Sequence, residues 1–304
     1  MLSLHTNAAS LSTMSALAGT QKDLSTTMQR LGTGFRINSA MDDAAGLQIA
    51  TRLNAQVSGM KVAMRNTQND ISMLQTGEGA LGEVTNILTR MKDLATQSAD
   101  GSSTVKDQDA MQAEYDALGR ELNNIMTNTT FGGTALLTGS QTGTGTAANT
   151  ALATVGGKFS GTINFQIGAA SAEKLTFDAS KQVGDLDWAV QGVSATYKTP
   201  AAATLGTEIN AANANATIDK LATALDSVGT LRSSMGAVAN RLDHVFNNLN
   251  NISNNVSQAK GRIMDTDYAS ESATMTTKQM LLQASTSMLK QSGSMSSMAM
   301  SLLQ

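Results

Sequence analysis

From Leu231 to Ile263 the side chains Leu231, Met235, Val238, Leu242, Val245, Leu249, Ile252, Val256, Ala259 and Ile263 recur at intervals of four and three in strict alternation. Neither glycine nor proline falls between Ala237 and Lys260. A 3.5-residue repeat sustained this long predicts a helix with one apolar seam. About 33 residues of helix extend roughly 50 Å. The positions off the seam are mostly Asn, Gln, Ser, Asp, Arg and Lys, so the seam is narrow. A lone helix of this kind cannot bury its seam and must pack against another long helix.

Composition narrows the choice further. Aromatic residues make up only 3% of the 304-residue chain, too few for a large globular core, whereas 18 Met suit seams between helices. Charged residues are only 15%, which suits close packing of like surfaces. A net charge of −3 argues against nucleic acid as partner, because phosphate binding needs a basic face. The absence of cysteine excludes disulfides and thiolate metal sites. No window approaches 18 consecutive apolar residues, so no membrane span is expected. The first residues lack the basic start and continuous apolar core of a signal peptide.

At the other end of the chain, Met14, Leu17, Gln21, Leu24, Met28 and Leu31 step by three and four, predicting a helix over 1–31 that Gly32 and Gly34 end. The stretch GTGFRINSAMDDAAG (32–46) reads as a capped connector carrying Arg36, Asn38, Ser39, Asp42 and Asp43. Ser39 followed by Asp42 matches a capping box and predicts a helix start near Ala40. The glycine spacing fits neither nucleotide motif, and two adjacent acids with no His nearby make a poor metal or acid/base pair.

A long helix is expected over 41–98, with Leu74, Leu81, Val84, Leu88, Met91 and Ala95 on its apolar face. The turn Asp100-Gly101-Ser102-Ser103 then sends a helix over 104–128 back antiparallel, with Met111, Tyr115, Leu118, Leu122 and Ile125 on one face. Residues 138–157 are uncharged and rich in Gly, Thr and Ala, a loop composition. Phe159, Gly161, Ile163, Phe165 and Ile167 alternate with polar residues and predict a strand, paired as a hairpin with the strand of Leu175 and Phe177. Trp188, Val190, Val193, Ala195 and Tyr197 are expected to complete a small β region that Pro200 closes. After Ile263 a break at 264–268 precedes a final helix to Gln304, where Leu281, Met288, Met295 and Leu302 recur every seven residues and Leu282, Leu289, Met298 and Met300 widen the face. The fold class expected is mainly α. Its long N- and C-terminal helices pair as a coiled coil or bundle, around a small β-containing middle.

These stretches resemble bacterial flagellins. MQRLGTGFRINSAMDDAAGLQIATRL (28–53), TGEGALGEV (76–84), LTRMKDLATQSA (88–99) and TNTTFGGTALL (127–137) are similar to the N-terminal half of the family. MGAVANRLDHVFNNLNNISNNVSQAKGRIMDTDYASESATMT (235–276) and the closing SLLQ are similar to its C-terminal half. The resemblance covers roughly 1–137 and 216–304 and leaves 138–215 unmatched. Gly293 replaces a Pro-containing turn common in the family's tail, and Met264 stands where an acidic residue is common.

The resemblance implies a structural subunit that polymerises with its own copies into the extracellular flagellar filament used for motility. It implies inner core helices at 1–34 and 268–304, spoke linkers at 35–46 and 264–267, a helical wall at 47–137 and 216–263, and a variable outer region at 138–215. In those terms Leu24, Met28, Leu31, Leu281, Met288 and Leu302 assemble the core. Export in an unfolded state by the flagellar type III apparatus is implied, with an export chaperone on the C-terminal helix. Filament cap and hook–filament junction proteins are the further partners. A contact patch for an animal Toll-like receptor would map to Arg90, Leu94 and Glu114, where Arg90 and Leu94 are an i, i+4 pair. No cofactor, metal or catalytic residue is implied. A peptidase in the middle region would need two His at helical spacing, and the only histidines are His5 and His244. A membrane-acting coiled-coil translocator would need a longer apolar hairpin than any here, and the hook–filament junction protein shares the end motifs only loosely. The closeness of 28–53 and 235–276 favours flagellin itself.

Overall fold

The computed structural model describes residues 8–137, 156–200 and 205–301. In chain order the elements are α1 (Ala8–Thr33), α2 (Ala44–Ser98), α3 (Val105–Asn128), β1 (Thr130–Phe131), β2 (Thr134–Ala135), a 3-10 turn (Lys158–Ser160), β3 (Thr162–Gln166), β4 (Lys174–Asp178), α4 (Ser180–Val193), α5 (Ala195–Lys198), α6 (Ala214–Met264) and α7 (Tyr268–Ser301). The architecture is mainly α with two small antiparallel hairpins, as the sequence implies. The chain divides into two compact units, Met1–Ser58 with Ser253–Gln304, and Gly59–Ile252.

The unit formed by the two chain ends rests on α1 packed along α7. Arg30 faces Glu271 at 3.8 Å, and one heptad away Asp23 faces Lys278 at 2.6 Å. As one sequence number rises the other falls, so the pair is antiparallel. On α1 the side chains turned inward are Thr13, Leu17, Thr20, Leu24, Thr27 and Leu31, again at intervals of four and three. Each of those three threonines donates its hydroxyl to the carbonyl four residues earlier, which lets a polar side chain enter the seam with its donor satisfied. The inward stripe of α7 is Glu271, Met275, Lys278, Leu282, Ser285 and Leu289.

Two expectations are corrected here. Met14 and Met28 lie off the α1 seam, with Met28 51% exposed. On α7, Leu281 and Met288 are exposed, Met288 at 65%, while Leu282 and Leu289 take the inward positions. Two apolar heptad stripes run side by side on this helix, and one antiparallel partner can cover only one of them. Leu302 lies outside the described residues.

The second unit has one core, built from α2, α3, α4, α6 and the β3–β4 hairpin. Along α2 the buried positions Met60, Ala63, Thr67, Leu74, Leu81, Val84, Leu88, Met91, Ala95 and Ser98 keep a heptad register. Along α6 the same register begins at Ala214 and continues through Thr217, Leu221, Ala224 and Val228 to Leu231, Met235, Leu242 and Leu249, with Val238 and Val245 half-buried. The seam fades at Ile252, which is 37% exposed. Ser253, one position on, is 5% exposed, so burial shifts by one residue there. In the first unit, Val256, Ala259 and Ile263 are half-buried.

Thr104 caps α3, accepting from the Asp107 amide while the Asp107 carboxylate accepts from the Thr104 amide. At the β1–β2 turn, Gly132 and Gly133 have φ of 58° and 80°, a two-residue hairpin turn whose positive φ values glycine adopts without strain. The β3–β4 hairpin pairs Ile163 with Phe177 and Phe165 with Leu175. The Phe177 ring stacks on Phe165 and meets Phe159 edge-on.

The expected strand through Trp188 and Tyr197 is helix instead. Val183, Leu186, Val190 and Val193 are buried at helical spacing on α4, and Trp188 is exposed. Tyr197 on α5 donates its hydroxyl to Asp187 at 2.7 Å, which ties the two short helices together. The alternation from 188 to 197 was a coincidence of side chains that serve different elements. Residues 138–155 and 201–204, expected as loop and as an Ala-rich lead into α6, lie outside the described residues.

Candidate assembly surfaces

The connector between α1 and α2 is held by a small polar set. Gly34 ends α1 with φ of 75°. A β-carbon there would stand 2.8 Å from the Tyr268 hydroxyl, so close approach as well as conformation requires glycine. The chain then crosses to the α6–α7 junction. Phe35 pairs with Asp265 as an antiparallel bridge, the Arg36 amide donates to the Met264 carbonyl at 2.7 Å, and its guanidinium donates to the Ile263 carbonyl at 2.9 Å. Asn38 donates to the Phe35 carbonyl.

Beyond it, the capping motif acts differently from the sequence expectation. Asp42 accepts from the amides of Asn38 and Ser39 and from the Ser39 hydroxyl, closing a turn rather than starting a helix. Those hydrogen bonds hold the Asp42 carboxyl below the usual carboxylate range. Asp43 is the residue that caps α2, accepting from the Gly46 amide at 2.8 Å, and the helix begins at Ala44. Both acids could cap by type, and only the path of the chain selects Asp43.

This unit leaves many apolar side chains in solvent: Leu11, Met14 and Met28 on α1, Met280, Leu281 and Met288 on α7, and Met41 on the connector. On each helix they lie beside the seam that the pair already uses, and exposed apolar side chains in this number mark interaction surfaces.

In the other unit, Arg90 and Glu114 meet across the antiparallel α2–α3 pair. Arg90 donates to Glu114 Oε1 from Nε at 2.9 Å and from Nη2 at 2.7 Å, and both side chains are about half exposed. Leu94 does not join them on the surface. It is 2% exposed and belongs to the core, because a step of four residues on α2 carries the side chain from the rim of the helix onto its seam.

A polar cluster that the sequence did not reveal links α3 to the segment before α6. Gln112 donates to Asp116 and to Glu208, each at 2.8 Å, and accepts from the Ile209 amide. Asp116 also accepts from the Gly206 amide, and Glu208 from the Ala195 amide. Its partners are mostly backbone amides, so it fixes chain paths. Among the described residues no three His, Cys, Asp or Glu side chains gather to hold a metal ion, and His244 is exposed on α6. No described helix is long and apolar enough to cross a membrane.

Comparison with known proteins fits this arrangement of paired ends around a separate middle. Residues 4–142 match the bacterial flagellin N-terminal helical region, and residues 218–303 match the C-terminal helical region. The chain belongs to the bacterial flagellin family. It is 48% identical over 181 residues to the B-type flagellin of Pseudomonas aeruginosa, an alignment covering 60% of this chain and 33% of that protein. It is 41% identical over 197 residues to polar flagellin F of Vibrio parahaemolyticus, covering 63% and 47% respectively. The matches thus span less than half the length of these relatives. A solved structure of a Vibrio parahaemolyticus chain, provisionally assigned as a flagellar hook-associated protein, shares the fold with a TM-score of 0.54 at 18% identity, covering 74% of this chain and 100% of that one.

Proposed function

We propose that this chain is a structural subunit that polymerises with copies of itself into an extracellular bacterial flagellar filament. The observation that carries the reading is the apolar stripe left uncovered on each helix of the α1–α7 pair, with Leu11, Met14 and Met28 exposed on α1 and Leu281 and Met288 on α7, beside the seam already used. In a family of flagellins, the surface such a stripe fits is the same pair in neighbouring copies. Residues 1–34 and 268–304 would then form the inner core, 35–46 and 264–267 the spokes, 47–137 and 216–263 the wall, and 138–215 the outer region.

The same reading has the chain exported unfolded through the flagellar type III apparatus. A chaperone covers the C-terminal helix until assembly, and cap and hook–filament junction proteins meet the filament at its ends. The Arg90–Glu114 pair is then the exposed part of a surface open to a Toll-like receptor, with Leu94 supporting it from beneath.

The test is electron microscopy of the purified chain before and after adding sulfate, which strengthens apolar burial, with far-UV circular dichroism in parallel. Long uniform filaments and a rise in helicity are expected. Particles that never polymerise, even on preformed seeds, would favour a junction protein or a translocator.

A further inference from the structure

The α1–α2 connector carries one apolar side chain with no cover at all. Met41 is 93% exposed at the tip of the turn that Asp42 closes with three hydrogen bonds. The braced turn fixes where this methionine is presented, and its unbranched side chain can adapt to the hole it enters. It is flanked by two carboxylates, Asp42 and Asp43, and the hydrogen bonds to Asp42 keep that charge in place to low pH.

The same unit holds a matching hole. Phe35, Leu47, Ala50, Thr51 and Met264 line a groove of about 270 Å³, with Lys260 at its rim donating to Asn54. A neighbouring depression continues along α2 to Arg52. The groove is therefore apolar at its floor and basic at its edge, the complement of an apolar tip set between two acids. Met41 does not enter it within its own chain, since the side chain stands in solvent.

We propose that Met41 of one copy inserts into the Phe35–Leu47–Ala50–Met264 groove of a second copy, with Asp42 and Asp43 set against Arg52 and Lys260. The inference deepens the filament reading and rests on it. Knob and hole are different surfaces of one chain, so the contact is heterologous. Repeated without closure, it gives an open helical assembly rather than a dimer.

The chain has no cysteine, so the contact can be tested by cross-linking. A Met41→Cys chain and a tagged Thr51→Cys chain are copolymerised with sulfate and oxidised. The expected product is a mixed disulfide dimer, formed in filaments and absent from the two chains mixed as monomers. In parallel, Met41→Ser is expected to raise the critical concentration for polymerisation about tenfold, as loss of one buried apolar side chain implies. Met41→Leu restores it. Filaments that form normally but yield no 41–51 cross-link overturn the contact and leave the filament reading standing. Chains that form no filaments under any of these conditions overturn both.

Discussion

Lys278 donates from Nζ to Asp23 Oδ2 across 2.6 Å, one heptad from the Arg30–Glu271 pair, and the two bridges fix the register of α1 against α7. The hydrogen bond and charge of Lys278 hold the Asp23 carboxyl below the usual range. Exposed pairs contribute little to stability, so Lys278→Ala should leave the thermal midpoint almost unchanged. Register is the larger effect. Lys278→Asp alone should lower the helicity of the soluble chain, and adding Asp23→Lys should restore it, as read by circular dichroism at low salt.

The two stripes of α7 should separate folding from assembly. Leu282 lies in the α1–α7 seam and Leu281 beside it in solvent. Leu282→Ala should therefore lower the thermal midpoint of the monomer, at a cost of about 1–2 kcal/mol for a half-buried leucine. Leu281→Ser should leave that midpoint in place and raise the critical concentration for filament growth. Equal effects of both on the monomer would contradict the assignment of stripes.

Asp70 occupies a seam position of α2, between Thr67 and Leu74. Burial raises its pKa to about 6, with Lys158 pulling the other way. A raised acid pKa means the folded chain holds its proton more tightly than the unfolded chain. Stability from this group is present at low pH and is lost as pH rises from about 4 through 6. The full shift corresponds to at most about 3 kcal/mol, and partial solvent access reduces it to about 1. Asp70→Asn should be more stable than the parent chain at pH 8 in urea titrations, with the advantage shrinking toward pH 4.

Gly77 and Gly79 are two residues apart on α2 and should respond to alanine in opposite directions. A β-carbon at Gly77 would lie 2.7 Å from the buried Phe159 ring and 3.1 Å from Met235, whereas none lies within 4 Å at Gly79. Gly79→Ala should stabilise the chain by about 1 kcal/mol through helix propensity. Gly77→Ala should be destabilising by about 1–3 kcal/mol through overpacking, less that gain. Thermal unfolding of the two variants side by side checks both signs.

Arg90 and Leu94 should likewise part company. Arg90→Ala removes an exposed pair and should cost no more than about 1 kcal/mol. Leu94→Ala opens the core and should cost about 2–5 kcal/mol. In a receptor-reporter assay, Arg90→Ala should lower the response with the thermal midpoint unchanged. A drop caused by Leu94→Ala should track its loss of folded chain.

Much of the fold was legible in the sequence because its signals are periodic and local. The seam from Leu231 needs only the 3.5-residue repeat, the Asp100-Gly101-Ser102-Ser103 turn needs four residues, and the β3–β4 hairpin follows from alternation around a turn. The family itself was legible in 28–53 and 235–276. Tertiary structure decided matters that several elements settle jointly. Periodicity offers two stripes on α7, and only the placement of α1 selects Leu282 and Leu289 over Leu281 and Met288. The Ser39–Asp42 spacing predicts a helix start near Ala40, and the crossing of Arg36 to the α6–α7 junction leaves Asp43 in place to cap α2 instead. The alternation around Trp188 reads as strand by pattern, and the Tyr197–Asp187 hydrogen bond with the buried face of α4 makes it helix. The Gln112–Asp116–Glu208 cluster joins residues nearly a hundred positions apart, and no local pattern records a hydrogen bond across that distance.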